Sequence, residues 1–319
     1  MYRKNRMGLF FLLPGVIWIL AFTIFPLLYS LALSFTDRQL ARPTSGQFIG
    51  FENYSKVFQG IASSVIDTRS EQGQAFFGAG ASAVDVRVGE TIPTTIFLTL
   101  GSTLLTLLLG TGIAWLFNHD FAGLRIFRSV MTMPLFAAPV ALGFMGLILF
   151  NEQSGIINTV IKAVTGGQWV PWFSQPWPAR TAVLLLDTWQ WTPFVFVVVL
   201  AAMQSIPTEL YEAARLDTRN SWQLFSRITL PLILPALGTI GMLRLVETFK
   251  ILDIPLSMLG GGPGSATQTY SYYAYQVGLK NFQMGYGSAL GYVLVIVCII
   301  ISTLYFRRMR SRYDQPKQG

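Results

Sequence analysis

Two stripes of side chains are placed to carry the chemistry of this chain. Asp187, Gln190, Trp191 and Phe194 fall at i, i+3, i+4 and i+7, which puts them on one face of a helix. Arg244, Glu247, Thr248 and Ile251 repeat that spacing, with Lys250 and Asp253 nearby. Both stripes interrupt long apolar runs, and ionisable groups in hydrocarbon are costly enough that they face a cavity or one another. Hydrogen-bonding groups beside flat aromatics suit a sugar or polyol, which has hydroxyls at its edge and C–H groups on its faces. A cation at Arg244 also admits an anionic solute such as a uronate or a sugar phosphate. Two other readings stand beside this one. Arg244, Glu247, Lys250 and Asp253 can form i, i+3 ion pairs that only hold helices together, or Asp187 and Glu247 can be the proton or cation sites of an ion-coupled secondary transporter.

Other chemistries are excluded by composition. His119 is the only histidine and Cys298, inside the last apolar run, the only cysteine. No metal centre, disulfide framework or histidine-based triad can be assembled from them. No catalytic or metal-ligating residues are therefore assigned. A Gly-x-x-x-x-Gly-Lys-Ser/Thr loop is also missing, so the chain is not expected to hydrolyse ATP. The formal net charge of +8 does not mark a nucleic-acid binder, because the basic residues sit at the ends of apolar runs rather than among aromatics on a polar domain.

The elements that must position the stripes are membrane spans. Of 319 residues, 52% are hydrophobic and 12% charged, and the mean hydropathy is +0.49, a balance that calls for lipid as solvent. Six runs are long enough to cross a bilayer: Met7–Phe35, Ile92–Phe117, Ser129–Phe150, Thr181–Met203, Leu230–Ile251 and Tyr286–Phe306. The first follows basic residues as a signal peptide does. It has no small-residue cleavage site and runs past a normal signal core, so it reads as a retained helix. Arg3, Lys4 and Arg6 precede it, and Arg307, Arg308, Arg310, Arg312 and Lys317 follow the last span, which places both termini in the cytoplasm. The even number of spans agrees, and it puts Arg125, Arg128, Arg215, Arg219 and Arg227 on inner connections. The expected fold is all-α, a polytopic membrane bundle of six transmembrane helices. Residues 1–91 form a first span and a long outer loop, 92–306 the core, and 307–319 a basic tail.

The connection between the fourth and fifth spans reads as a short helix outside the membrane. Pro207 suits a first helical position, Glu209 suits the positive end of the helix, and Leu210, Ala213, Ala214 and Asp217 share one face. Small residues there allow close docking. Asn220 followed by Gln223 looks like the cap of a second helix that enters the membrane at Leu230-Pro231. A plain polar connection with helical propensity is the alternative.

Glu212-Ala213-Ala214, then Asp217, then Ile228-Thr229-Leu230-Pro231 resembles the EAA motif, here within residues 205–231, of permeases in binding-protein-dependent ABC importers. Further segments resemble the maltose-type sugar permeases, of the kind that pairs with a second, different permease. They are Leu12-Leu13-Pro14-Gly15, Phe25-Pro26, Ser34-Phe35-Thr36-Asp37, Phe48–Tyr54, Trp189 with Thr192-Pro193-Phe194, and Gly261-Gly262-Pro263 with Thr267. The resemblance implies the type I ABC importer permease fold, with this loop as a coupling helix inserted in a cleft of a cytoplasmic ATPase. Glu212 would face a basic residue of that ATPase, Ala213 and Ala214 would permit the fit, and Leu210 and Asp217 would join the contact.

The resemblance also places both stripes at positions lining the sugar pocket of that family. It implies as partners a second permease, a dimer of ATPase subunits, an external solute-binding protein and the lipid bilayer, with no nucleic acid. ATP and magnesium would reside on the ATPase, and this chain would hold no cofactor. Three departures stand out. Thr218 replaces the usual glycine after the aspartate, residues 60–90 form a longer outer connection that could touch the binding protein, and Met145-Gly146 stand where the family commonly has tryptophan. Tyr270, Tyr272, Tyr273 and Tyr275 read as an aromatic belt at the membrane edge, with contact to the binding protein or the entering solute as the alternative.

Overall fold

The computed structural model describes residues 6–42, 44–77, 84–119, 122–217 and 220–313. Arg3, Lys4, Thr218, Arg219 and Lys317 lie outside the described residues. Among those described there are helices and one isolated bridge between Thr36 and Phe48, but no strand. Two compact units divide the chain: Met1–Gly89 with Tyr273–Val297, and Glu90–Tyr272 with Cys298–Gly319.

In the first unit, α1 (Arg6–Ile19) runs through a π turn (Leu20–Ile24) into α2 (Phe25–Ser34), and Phe11–Ser34 is long and apolar enough to span. None of its most apolar 18-residue window is buried within the chain, as befits a membrane span that is apolar all round, and only at its end does Ser34 become buried. The end of α2 leaves carbonyls without helical partners. Asn53, in α3 (Glu52–Ala62), donates from its buried amide to the Ser34 carbonyl at 2.9 Å and the Thr36 carbonyl at 2.8 Å. Asp37 accepts from the Gly46 and Gln47 amides at 2.7 Å each and closes the following turn. The 60–90 connection holds α4 (Glu71–Phe77), and the next helix begins at Val86 rather than Ile92. Asp85 accepts from the hydroxyls of Tyr273 (2.7 Å) and Tyr286 (2.8 Å). Burial, then the hydrogen bond from its own hydroxyl to Asp85, pushes the Tyr273 phenol up.

The second unit is organised by α5 (Val86–Leu116), α9 (Pro176–Gln204) and α12 (Leu230–Phe249). Apolar residues close it at two levels. Leu98, Ile251, Ile254 and Met258 gather around Val183 and Leu186, while Ala114, Phe225 and Ile240 gather around Phe196 and Val199.

The expected third span is not continuous. α6 (Leu124–Thr132) with a 3₁₀ turn (Met133–Phe136) and α7 (Pro139–Leu149) meet at 98°, giving among the described residues five continuous span-length helices, or six if the bent pair counts as one. The cause is local. Pro139 disfavours helical backbone in the residue before it, and Ala137 and Ala138 are extended, with ψ of 131° and 132°.

Met145-Gly146 now has a reason. A Cβ at Gly146 would collide with Leu186, and one at Gly143 with Ser257, so glycines let α7 pack directly on α9 and on α13 (Asp253–Leu259). The Gly-Gly-Pro segment ends α13, with Gly260 at φ 56° and Gly261 at φ 88° in the left-handed region that favours glycine. The carbonyl of Ala266 in the same loop accepts from Arg180 Nε at 2.7 Å and from the Thr94 hydroxyl at 3.1 Å. Tyr270, Tyr272 and Tyr273 are buried, so the expected aromatic belt does not form there.

Candidate functional site

The two stripes meet within the second unit. Asp187 of α9 and Arg244 of α12 form an ion pair at 2.5 Å, with side-chain exposures of 5% and 1%. Ser102 of α5 donates to the same carboxylate oxygen and accepts from Arg244 Nη2 at 2.9 Å. Arg244 Nε reaches the Thr106 hydroxyl at 3.5 Å, and the guanidinium lies 4.8 Å over the Trp191 ring. Three helices are thus fastened by one buried network, and the cation is shared between a carboxylate, two hydroxyls and an indole face. Phe194 meets Trp191 edge to face with ring centroids 5.9 Å apart. Thr248 is 1% exposed, and its hydroxyl, like Arg244 Nη1 and the hydroxyls of Thr99, Thr103 and Thr188, has no hydrogen-bond partner among the described residues.

The remaining stripe residues have other places. Gln190 is buried and donates to the Ala137 carbonyl at 3.0 Å, so it satisfies a backbone acceptor at the break between α6 and α7. Glu247 pairs with Lys250 at 3.0 Å, both side chains being roughly half exposed. That i, i+3 pair is the one expected alternating pair that forms, since Arg244 pairs across to Asp187 instead. Ile251 departs from the expected stripe. α12 ends at Phe249, and Ile251 turns into the apolar cluster with Ile254 and Met258.

Ser102 and Thr106 were not among the expected site residues, because no charged residue interrupts their apolar run to mark it. The signal was present in α5, where Thr91, Thr95, Thr99, Ser102 and Thr106 recur at helical spacing inside an apolar run, all of them buried.

The expected docking element is also a helix. α10 (Thr208–Asp217) begins just after Pro207, which precedes the first helical residue instead of occupying that position. Glu212 and Ala213 are exposed, Ala214 is half-buried, and Leu210 is 46% exposed. The Asp217 side chain falls outside the described set. None of the ion pairs among described residues involves Glu212. Asn220 caps α11 (Ser221–Leu224), accepting from the Trp222 amide at 2.9 Å, and a π turn (Phe225–Thr229) carries the chain into α12. Tyr211 and Thr229 hydrogen-bond at 2.9 Å across this hairpin.

Residues 106–313, which include this Glu-Ala-Ala helix and its capped hairpin, match a family model described as binding-protein-dependent transport system inner membrane component. The chain belongs to that family. As an ABC transporter permease it is a multi-pass membrane protein. Its relatives include the sulfoquinovosyl glycerol transport system permease protein of Agrobacterium fabrum, 30% identical over 94% of this chain and 89% of the relative. Another is the trehalose/maltose transport system permease protein of Thermococcus litoralis, 27% identical over 98% of this chain and 97% of the relative. Among solved structures, a bacterial ABC transporter involved in the import of the acidic polysaccharide alginate matches with a TM-score of 0.76 and 22% identity, over 97% of this chain and 96% of that one. The permease has the type I ABC importer fold.

Proposed function

We propose that this permease is one transmembrane half of an ATP-driven importer for a carbohydrate-like solute delivered by an external binding protein. The supporting observation is the α10 hairpin, whose exposed Glu212 has no ion-pair partner among the described residues and lies beside small residues in a chain of this family. ATP and magnesium act on separate ATPase subunits, and this chain, with no catalytic group of its own, receives their closure through Glu212, Ala213, Ala214, Leu210 and Asp217. A second permease completes the pathway, and both termini face the cytoplasm. We place the solute path along Trp191 and Phe194, beside the buried Asp187–Arg244 network and Thr248. Binding of ATP biases the inward and outward states only through contacts that differ between them, and α10 is where those contacts lie.

The carbohydrate assignment draws on relatives that carry sulfoquinovosyl glycerol and trehalose or maltose. Against an ion-coupled carrier stands the pairing of Asp187 with Arg244 and Ser102, which commits that carboxylate to a fixed network. Co-purification with the ATPase tests the proposal. Glu212→Lys should abolish ATPase retention and uptake while the permease still inserts, and retention of both would overturn it.

A further inference from the structure

Arg244 brings a cation to membrane depth, yet the layer it occupies has no excess positive charge. Beyond the first five residues of α5 and α9, the charged side chains of α5, α9 and α12 are Asp187, Arg244 and Glu247. Asp187 takes Arg244, and Glu247 takes Lys250, which follows the end of α12. The next charge along the chain, Asp253 at the start of α13, is exposed and negative. Hydrogen-bonding capacity remains where charge does not. Arg244 Nη2 is engaged by Asp187 and Ser102 and Nε by Thr106, whereas Nη1 has no partner among the described residues. Thr248, one turn further along α12, and Thr99, Thr103 and Thr188, each within three residues of Ser102 or Asp187, are buried hydroxyls in the same state.

A buried donor without a partner is costly, so a ligand that supplies an acceptor to Nη1 is favoured here. A carboxylate or sulfonate is a poor choice, because at Nη1 it would stand beside the Asp187 carboxylate with little water to screen the repulsion. A hydroxyl meets no such repulsion, and Trp191 and Phe194, both half-buried, supply apolar surface for the C–H faces of the same solute. We propose that this half of the pathway passes an uncharged sugar or polyol, with Arg244 Nη1 and Thr248 hydrogen-bonded to its hydroxyls and Asp187 as the specificity-determining residue that disfavours anionic sugars. The guanidinium serves through its N–H groups, and the carboxylate cancels its charge. This assignment rests on the carbohydrate path proposed above and fixes the charge of what travels along it.

The test is solute binding by the assembled permeases and ATPases in nanodiscs, without the external binding protein, so that its own selectivity does not enter. Saturation-transfer NMR is read on matched pairs: glucose with glucuronate, galactose with galacturonate, and maltose with its C6 uronate. In the unmodified transporter each neutral sugar that binds should bind about tenfold more tightly than its uronate. Asp187→Asn keeps the shape and removes the charge, and it should shift the affinity ratio of each pair about tenfold toward the uronate. A uronate that binds the unmodified transporter as well as its parent sugar overturns the assignment, and that measurement stands even if the variant fails to fold. A pair that only holds helices together predicts an unchanged ratio in Asp187→Asn, whatever happens to the affinities, and that result overturns the assignment as well. Absence of binding by every sugar, neutral or charged, goes against the carbohydrate path and takes the assignment with it, whereas uronate binding leaves the path standing.

Discussion

Removing one member of the Asp187–Arg244 pair should cost far more than removing both. With side-chain exposures of 5% and 1% and a separation of 2.5 Å, neither charge has water to fall back on. A single partner deleted from a buried pair costs about 3–5 kcal/mol, because the survivor remains as an uncompensated charge. Asp187→Leu strands the guanidinium, which keeps only Ser102, Thr106 and the Trp191 face. Arg244→Met strands the carboxylate with Ser102 alone. If the two losses were independent, the double variant would lose about 6–10 kcal/mol. Instead Asp187→Leu/Arg244→Met replaces the pair by apolar side chains of comparable volume, which is often neutral and sometimes stabilising, so it should return to within about 2 kcal/mol of the unmodified chain.

The measurement is a double-mutant cycle on unfolding in bicelles, read by steric trapping, with uptake measured in parallel. Single variants that each cost under about 1 kcal/mol, or a double variant equal to their sum, would refute the claim that this network is a dry, mutually dependent pair. Uptake separates a second question. If the double variant folds and assembles but its solute selectivity changes, the pair also shapes the pathway, and unchanged selectivity would confine it to holding α5, α9 and α12.

Two further outcomes follow from local geometry. Gln190→Leu leaves the Ala137 carbonyl unpaired at the α6–α7 break and should cost about 1–3 kcal/mol, measured in the same unfolding assay, whereas Gln190→Glu, protonated at low pH, should recover part of the loss. Burial pushes the Glu152 carboxyl up, but the Ser174 hydroxyl and the Phe173 and Ser174 amides, at 2.7–2.8 Å, outweigh it and hold the group below its ordinary value. A depressed carboxylate contributes stability above its unfolded pKa and loses it as pH falls through the folded one. The stability gap between the unmodified chain and Glu152→Gln should therefore be open at neutral pH and close in acid below the carboxylate range, and a pH-independent gap would count against those hydrogen bonds.

Sequence periodicity found what is repeated along one helix. Apolar runs located the cores of the spans but not all their ends, since the second helix starts at Val86 and the fifth at Ser221; at the third, broken before Pro139, the prolines were visible but the angle was not. The α10 hairpin was legible for the same reason, since its signals of Pro207, Glu209, small residues and the Asn220 cap are local in the chain. The buried tyrosines were misjudged because an aromatic at a membrane edge and one tucked under a loop have the same composition, and tertiary contacts such as the hydrogen bonds from Tyr272 to the Gly260 carbonyl and from Tyr273 to Asp85 distinguish them.

What periodicity could not supply is which charge answers which. Along α12 the arithmetic of i, i+3 offers Arg244 the partner Glu247, and that is the pair a single helix would make in water. The tertiary packing overrules it because the two sites differ in depth. Glu247 and Lys250 stay about half exposed, where a pair is worth little and either member can be solvated. Arg244, almost fully buried, must take the strongest acceptor within reach, and that is Asp187 on another helix, itself fixed by Ser102 from a third. Depth therefore sorts the four charged residues into one superficial pair and one deep pair. The hydroxyl ladder of α5 is the third partner that makes the deep pair tenable. A sequence reading that scored buried serines and threonines alongside the charges would have brought α5 into the site.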